Sequence, residues 1–134
     1  MACFIVSAAT ATVVEAARKC ELHREERLAA DEKEDEVRED AKKIPLSMKL
    51  LWLRNMLLGG VVLLLFEHVW HGEVTPWFPF LTAMADPADT AEMLREMATV
   101  GTGMVAAVTV VWAGVCVAAD SIVKRESREI FQTR

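Results

Sequence analysis

The longest stretch without an ionisable acid or base, residues 97–119, constrains the fold most. Its 23 residues read MATVGTGMVAAVTVVWAGVCVAA, and a helix needs about 20 apolar residues to cross the hydrocarbon core of a bilayer. A buried helix of a soluble domain usually carries a polar stripe, which this stretch lacks. The sequence therefore predicts an all-α integral membrane protein in which residues 94–120 form a transmembrane helix.

A second transmembrane helix is predicted over residues 45–71. Its central run, residues 56–66, is fully apolar, whereas Lys49 and Arg54 lie near its start. Long basic side chains can extend from such positions to the lipid headgroups, so Arg54 is interpreted as an anchor rather than a gate. Pro45 can begin this helix because a missing N–H costs nothing in the first turn.

The N-terminal residues 1–17 are predicted to form a third membrane helix. Residues 3–17 are apolar or small except for Glu15, but as a helix they reach only about 22 Å, a marginal span. Alternatively, the segment lies flat on the membrane surface. We expect Glu15 at the helix end, level with Arg18 and Lys19 in the headgroup region, and the alternative is an intramembrane carboxylate that faces a partner.

Residues 18–44 change abruptly in composition, because residues 18–43 hold ten acids and eight bases and no glycine or proline. This pattern predicts a charged cytoplasmic helix or linker, with a docking arm as the alternative. Lysine and arginine favour the cytoplasmic side, and they flank the predicted spans at this segment and in the tail, residues 121–134. We therefore expect the N-terminus outside, the C-terminus in the cytoplasm, and an inner-membrane location.

The connection between the two longer helices, residues 72–93, is predicted to be an extracytoplasmic loop that lies along the headgroups. It is rich in aromatic residues and prolines, which favours an interfacial belt over a separate domain. Its aromatic residues are Trp77, Phe78 and Phe80, with Trp70 just before it, and its prolines are Pro76, Pro79 and Pro87. Asp86 or Asp89 is the expected N-cap of the helix that follows.

Two histidines and a carboxylate, Glu67, His68 and His71, form the pattern EHxxH. On a helix these three residues lie on adjoining parts of one face, where they could hold zinc, iron, manganese or copper. The candidate residues to complete the shell are Glu73, Asp86, Asp89, Glu92 and Glu96. The order differs from the HExxH of metalloproteases. The other interpretations are a local interfacial anchor, proton sensing, and axial ligation of a haem shared with a second protomer.

Small residues recur at four-residue spacing in the last apolar stretch, as Gly103-x-x-x-Ala107 and Gly114-x-x-x-Ala118. This spacing lets helix backbones approach closely in a membrane. It fits both packing against the chain's own second helix and self-association.

The composition excludes or disfavours several classes of protein. The net charge is −5, and no basic cluster is interleaved with aromatic residues, so no nucleic-acid partner is expected. The three cysteines, Cys3, Cys20 and Cys116, are far apart and indicate neither a zinc finger nor a disulfide framework.

The segment HVWHGEVTPWFPFLTAM, followed by DTAEMLREMATVG, resembles small multi-pass bacterial membrane proteins of uncharacterised function. The resemblance covers residues 45–120. It implies a bacterial inner-membrane location and no activity.

The function predicted from these features is that of a non-enzymatic membrane component. Two or three helices make too thin a bundle to enclose a solute pathway, so we expect an oligomeric scaffold or an accessory subunit of a larger membrane complex, with the lipid bilayer as its surroundings. One alternative is a metal- or haem-binding redox subunit that uses Glu67, His68 and His71. The other is an oligomeric ion or proton conductor.

Overall fold

The computed structural model describes residues 2–30 and 44–132, and within these residues the fold is helical. Its α-helices are α1 (Cys3–Ala30), α2 (Leu46–Trp70), α3 (Pro87–Glu96) and α4 (Thr102–Gln132). A 3-10 turn at Thr82–Ala85 precedes α3, and a π-helical turn at Met97–Gly101 joins α3 to α4. The sequence prediction of an all-α fold is thereby confirmed.

Helices α1 and α2 pack against each other as an antiparallel pair. Near the start of α1, the Phe4 ring lies edge-on to the ring of His68, near the end of α2. Near the end of α1, the hydroxyl of Ser47 donates to Glu25 at 3.0 Å, at the start of α2. The start of α1 thus contacts the end of α2, and the end of α1 contacts the start of α2.

Helix α4 runs antiparallel to α2 and parallel to α1. The π-helical turn before it touches the start of α1, where Gly101 lies against Val6. The small core between the three helices is built from apolar side chains of all of them. It consists of Ala11, Val14, Leu53 and Leu57, with Leu50, Val105, Val108 and Trp112 packed against it.

Helix α1 differs from the expectation that it ends near Glu15. It continues without a break to Ala30, across the boundary predicted after residue 17. The charged residues that follow Glu15 are compatible with a helix because they lack glycine and proline, the two strong helix breakers. The remainder of the predicted charged segment, residues 31–43, lies outside the described residues.

The start of α3 resolves the choice between the two predicted caps. Asp86 is the N-cap, because its carboxylate accepts a hydrogen bond of 2.7 Å from the backbone N–H of Ala88. Pro87 occupies the first turn, where a missing N–H costs nothing. Asp89 lies inside the first turn, where its charge complements the positive end of the helix dipole.

Two helical segments are long and apolar enough to cross a membrane, Leu46–Trp70 and Pro87–Arg125. In the most apolar part of each segment, only 11% of the residues are buried within the chain. Most of this apolar surface therefore has no cover from the described part of the protein. The valines at 110, 111, 115 and 117 of α4 illustrate this, because all four are exposed.

Candidate functional site

His68 is the one member of the predicted EHxxH site that is buried, with 8% of its surface exposed. Its Nδ1–H donates to the carbonyl of Leu64 at 2.6 Å, and its ring meets Phe4 edge to face. Because the carbonyl can only accept, the hydrogen bond places the proton of the neutral ring on Nδ1. The second nitrogen, Nε2, lies 3.8 Å from a carboxylate oxygen of Glu73.

Glu67 and His71 are exposed, unlike His68. Glu67 lies in the last turn of α2 and His71 directly follows that helix, whereas the ring of His68 contacts Phe4 of α1. Among residues 2–30 and 44–132, no group of three or more His, Cys, Asp or Glu side chains is arranged to hold a metal ion. Metal or haem binding by Glu67, His68 and His71 stays a prediction.

An open cavity of about 270 Å³ lies between the loop and α3, and Glu73, the carboxylate near His68, is one of its lining residues. Three carboxylates and one hydroxyl line it, together with two apolar side chains. The lining residues are Glu73, Thr82, Ala83, Asp89, Glu92 and Met93. The carboxylates give this side of the molecule a negative surface that attracts cations.

The loop between α2 and α3 begins with a tight turn. Gly72 has a φ of +72°, a backbone conformation that favours glycine, and its N–H donates to the carbonyl of Val69 as the helix ends. An isolated antiparallel bridge between Val74 and Leu81 then closes the loop. Between these two residues lie aromatic side chains that are largely exposed, including Phe78 at 86%. The loop thus has a defined shape and an aromatic outer surface.

One connection between helices was not apparent from the sequence, an ion pair between Lys49 and Asp120. The ammonium of Lys49 lies 2.7 Å from the carboxylate of Asp120, and 16% of the Lys49 side chain is exposed. The indole N–H of Trp112 also donates to the backbone carbonyl of Lys49 at 2.7 Å. These contacts fix the register of α4 on α2, and sequence spacing gives no sign of them because the partners are far apart in the chain.

A second connection is a cluster of charges between α1 and α2, formed by Glu15, Arg18 and Arg54 and here called the arginine–glutamate cluster. Arg18 donates two hydrogen bonds of 2.9 Å to the two carboxylate oxygens of Glu15. The guanidinium of Arg54 lies 3.4 Å from the same carboxylate. The sequence places Glu15 beside Arg18, but Arg54 was interpreted as a separate membrane anchor.

The side of α4 that points away from α1 and α2, here called the outer face of α4, is lined by glycine, alanine and valine. Its members are Gly103, Ala107, Val110, Gly114 and Val117, all exposed. A Cβ built on Gly103 or on Gly114 would meet nothing within 4 Å. The close contact within the chain is instead at Gly101, where a Cβ would lie 2.9 Å from Val6 Cγ2.

Comparisons with protein families, with curated proteins and with solved structures gave no match for this chain. The resemblance to small bacterial membrane proteins therefore stays a prediction.

Proposed function

We propose that this chain is a small integral membrane protein that acts as an oligomeric scaffold or as an accessory subunit of a membrane complex. It assembles through the outer face of α4 and has no enzymatic activity of its own. The observation that carries the proposal is that this face is long, apolar, made of glycine, alanine and valine, and uncovered by the described part of the chain.

The spacing along the outer face suits contact with another helix. Residues 103, 107, 110, 114 and 117 follow one another in alternating steps of four and three. Such steps keep side chains in a narrow band along the helix, as in the seam of a coiled coil. The residues that pack into the chain's own core, such as Val105, Val108 and Trp112, lie on the opposite side of α4.

Small residues make this band better suited to a protein partner than to lipid alone. Within a bilayer the hydrophobic effect does not drive helices together, because lipid chains are as apolar as leucine. Association then depends on close packing, and glycine allows the closest backbone approach. Because Gly103 and Gly114 have open space in front of them, a partner helix can lie directly against the α4 backbone.

The proposed orientation has the N-terminus and the aromatic loop outside and the C-terminus in the cytoplasm of a bacterial inner membrane. The asymmetry of basic residues supports it, because residues 67–96 hold six acids and one base. The antiparallel packing of α1 and α2 supports it too, because the start of α1 lies beside the end of α2. The exposed aromatic side chains of the loop then lie at the outer headgroup region.

The assembly is tested by Ala107→Leu, with Ala113→Leu as the matched control. Both alanines are exposed on α4, but Ala113 lies outside the outer face. The measurement is the protein mass in detergent by light scattering, compared with the 14.9 kDa chain. We expect wild type and Ala113→Leu to be multimers and Ala107→Leu to be smaller. A monomeric wild type, or an unchanged mass for Ala107→Leu and also for Gly114→Leu, would refute assembly through this face.

A further inference from the structure

The arginine–glutamate cluster lies level with the central part of the uncharged stretch of α4. Val14 and Leu53 neighbour members of the cluster in sequence, and they belong to the core that packs against Val108 and Trp112. Both α4 residues lie well inside residues 97–119, the stretch without acids or bases. The ends of that stretch are roughly 10 to 20 Å away along the helix. A bilayer that covers the whole stretch therefore has the cluster below its surface.

The cluster carries an unbalanced charge. Arg18 and Arg54 stay protonated in proteins, and they share the one carboxylate of Glu15, so the sum is one positive charge. Within the described residues, the guanidinium of Arg54 has the ion pair with Glu15 and makes no hydrogen bond. A charge and N–H groups without acceptors are costly in a low-polarity environment. The cluster therefore needs an anion that accepts hydrogen bonds.

We infer that the arginine–glutamate cluster binds the phosphodiester group of an anionic phospholipid. A phosphodiester carries one negative charge, which balances the net charge of the cluster. Its two free oxygens match the paired N–H groups of a guanidinium, which bind phosphate in a bidentate manner. The ligand thus supplies both the charge and the acceptors that the cluster lacks.

The position of Arg54 on α2 suits a lipid headgroup as the source of the phosphate. Arg54 lies eight positions, or about 12 Å of helix, after Leu46 at the start of α2. A long arginine side chain covers part of that distance, and local thinning of the bilayer covers the rest. The side chain of Arg54 is also 33% exposed, so a headgroup has access to it. The inference rests on the membrane location proposed above, but not on assembly through the outer face of α4.

The test compares wild type with Arg54→Gln, with Arg24→Gln as the matched control. Arg24 is on α1, pairs with Glu21 at 3.4 Å and is 69% exposed, so its loss removes a charge without touching the cluster. Protein purified in neutral detergent is mixed with phosphatidylglycerol or phosphatidylcholine, and the retained lipid is counted by native mass spectrometry. We expect wild type and Arg24→Gln to retain phosphatidylglycerol in preference to phosphatidylcholine. Arg54→Gln is expected to retain about tenfold less phosphatidylglycerol than wild type, which corresponds to the loss of one charge-assisted hydrogen bond.

Two further arms keep the result interpretable. Arg54→Lys retains the charge and the ion pair but not the planar fork, so we expect it to fold and to retain less phosphatidylglycerol than wild type. Inorganic phosphate replaces lipid in a parallel thermal-stability measurement. Equal retention of phosphatidylglycerol by wild type, Arg54→Gln and Arg54→Lys would overturn the inference. Stabilisation of wild type by free phosphate to the same extent as by the lipid would overturn the assignment to a headgroup.

The failure of this inference can be told apart from the failure of the proposed function. Extraction of membranes at alkaline pH reports whether the chain is integral, and the mass in detergent reports whether it assembles. Arg54→Gln is expected to leave both results unchanged. A chain that stays in the membrane and assembles, yet shows no lipid preference, refutes only the lipid site.

Discussion

The contact between Gly101 and α1 gives the sharpest prediction about packing, because one added methyl group probes it. A Cβ at residue 101 would lie 2.9 Å from Val6 Cγ2 and 3.2 Å from Val6 Cβ. Val6 Cβ is bonded directly to the backbone of α1, so rotation of the β-branched side chain about χ1 cannot move this atom away. Gly101→Ala therefore forces α1 and the π-helical turn apart.

The expected change in the free energy of unfolding follows from two opposing effects. Overpacking a tight contact typically costs about 1–3 kcal/mol, whereas alanine gains about 0.8–1.0 kcal/mol over glycine in a helix. The matched control is Gly59→Ala, which lies on α2 rather than on the outer face of α4, has nothing within 4 Å of its new Cβ and keeps only the gain. We expect Gly101→Ala to be less stable than Gly59→Ala by about 1–3 kcal/mol, the overpacking cost alone.

The assay is unfolding in mixed micelles at increasing denaturing detergent, followed by tryptophan fluorescence. The double variant Val6→Ala/Gly101→Ala completes a double-mutant cycle, in which we expect the added alanine at 101 to be tolerated once Val6 is shortened. Equal or greater stability of Gly101→Ala relative to Gly59→Ala would refute the close approach of α1 to this turn.

Two other predictions concern orientation and the histidines. A reporter that works only in the cytoplasm should be active when fused after Arg134 and inactive when inserted near Ala83, and activity near Ala83 would refute the orientation. Because His68 is buried against Phe4 and His71 is exposed, His68→Ala should lower the free energy of unfolding by about 1–3 kcal/mol and His71→Ala by less than about 0.5 kcal/mol. The same two variants test metal binding, since loss of a bound metal in both would support the predicted site and its presence in both would refute it.

The parts of the fold that could be predicted are those with a local signal. Apolar length predicted the helices that became α2 and α4, and an acid before Pro87 predicted a cap for α3. Asp86 and Asp89 could not be separated by sequence, because both precede helical residues at suitable spacing. Which aspartate caps α3 depends on where the preceding loop ends, and that loop is closed by the bridge between Val74 and Leu81.

The candidate site was harder to predict because it depends on which side of α2 meets α1. Sequence spacing grouped Glu67, His68 and His71 on neighbouring parts of one helical surface. Packing then divides them, since α1 covers His68 and leaves the other two exposed. Periodicity gives the angle between residues on one helix, but it does not say where a second helix lies.

The link between Glu15 and Arg54 was missed for a related reason. Each residue interrupts an apolar segment, and each alone reads as an anchor at a membrane edge. Only the antiparallel register of α1 on α2 brings the two together. A charge that looks misplaced within one predicted span is therefore best compared with charges in the other spans before it is assigned to a headgroup region.

The two proposals concern different surfaces of the same bundle, and this makes them separable. The outer face of α4 points away from the core, whereas the arginine–glutamate cluster lies between α1 and α2. A leucine at Ala107 therefore has no direct contact with Arg54, and effects at such separated sites usually add. We accordingly expect Ala107→Leu to lose assembly while it retains phosphatidylglycerol, and Arg54→Gln to do the reverse. If either variant loses both properties, the two surfaces are coupled, and lipid and partner contact the chain as one interface.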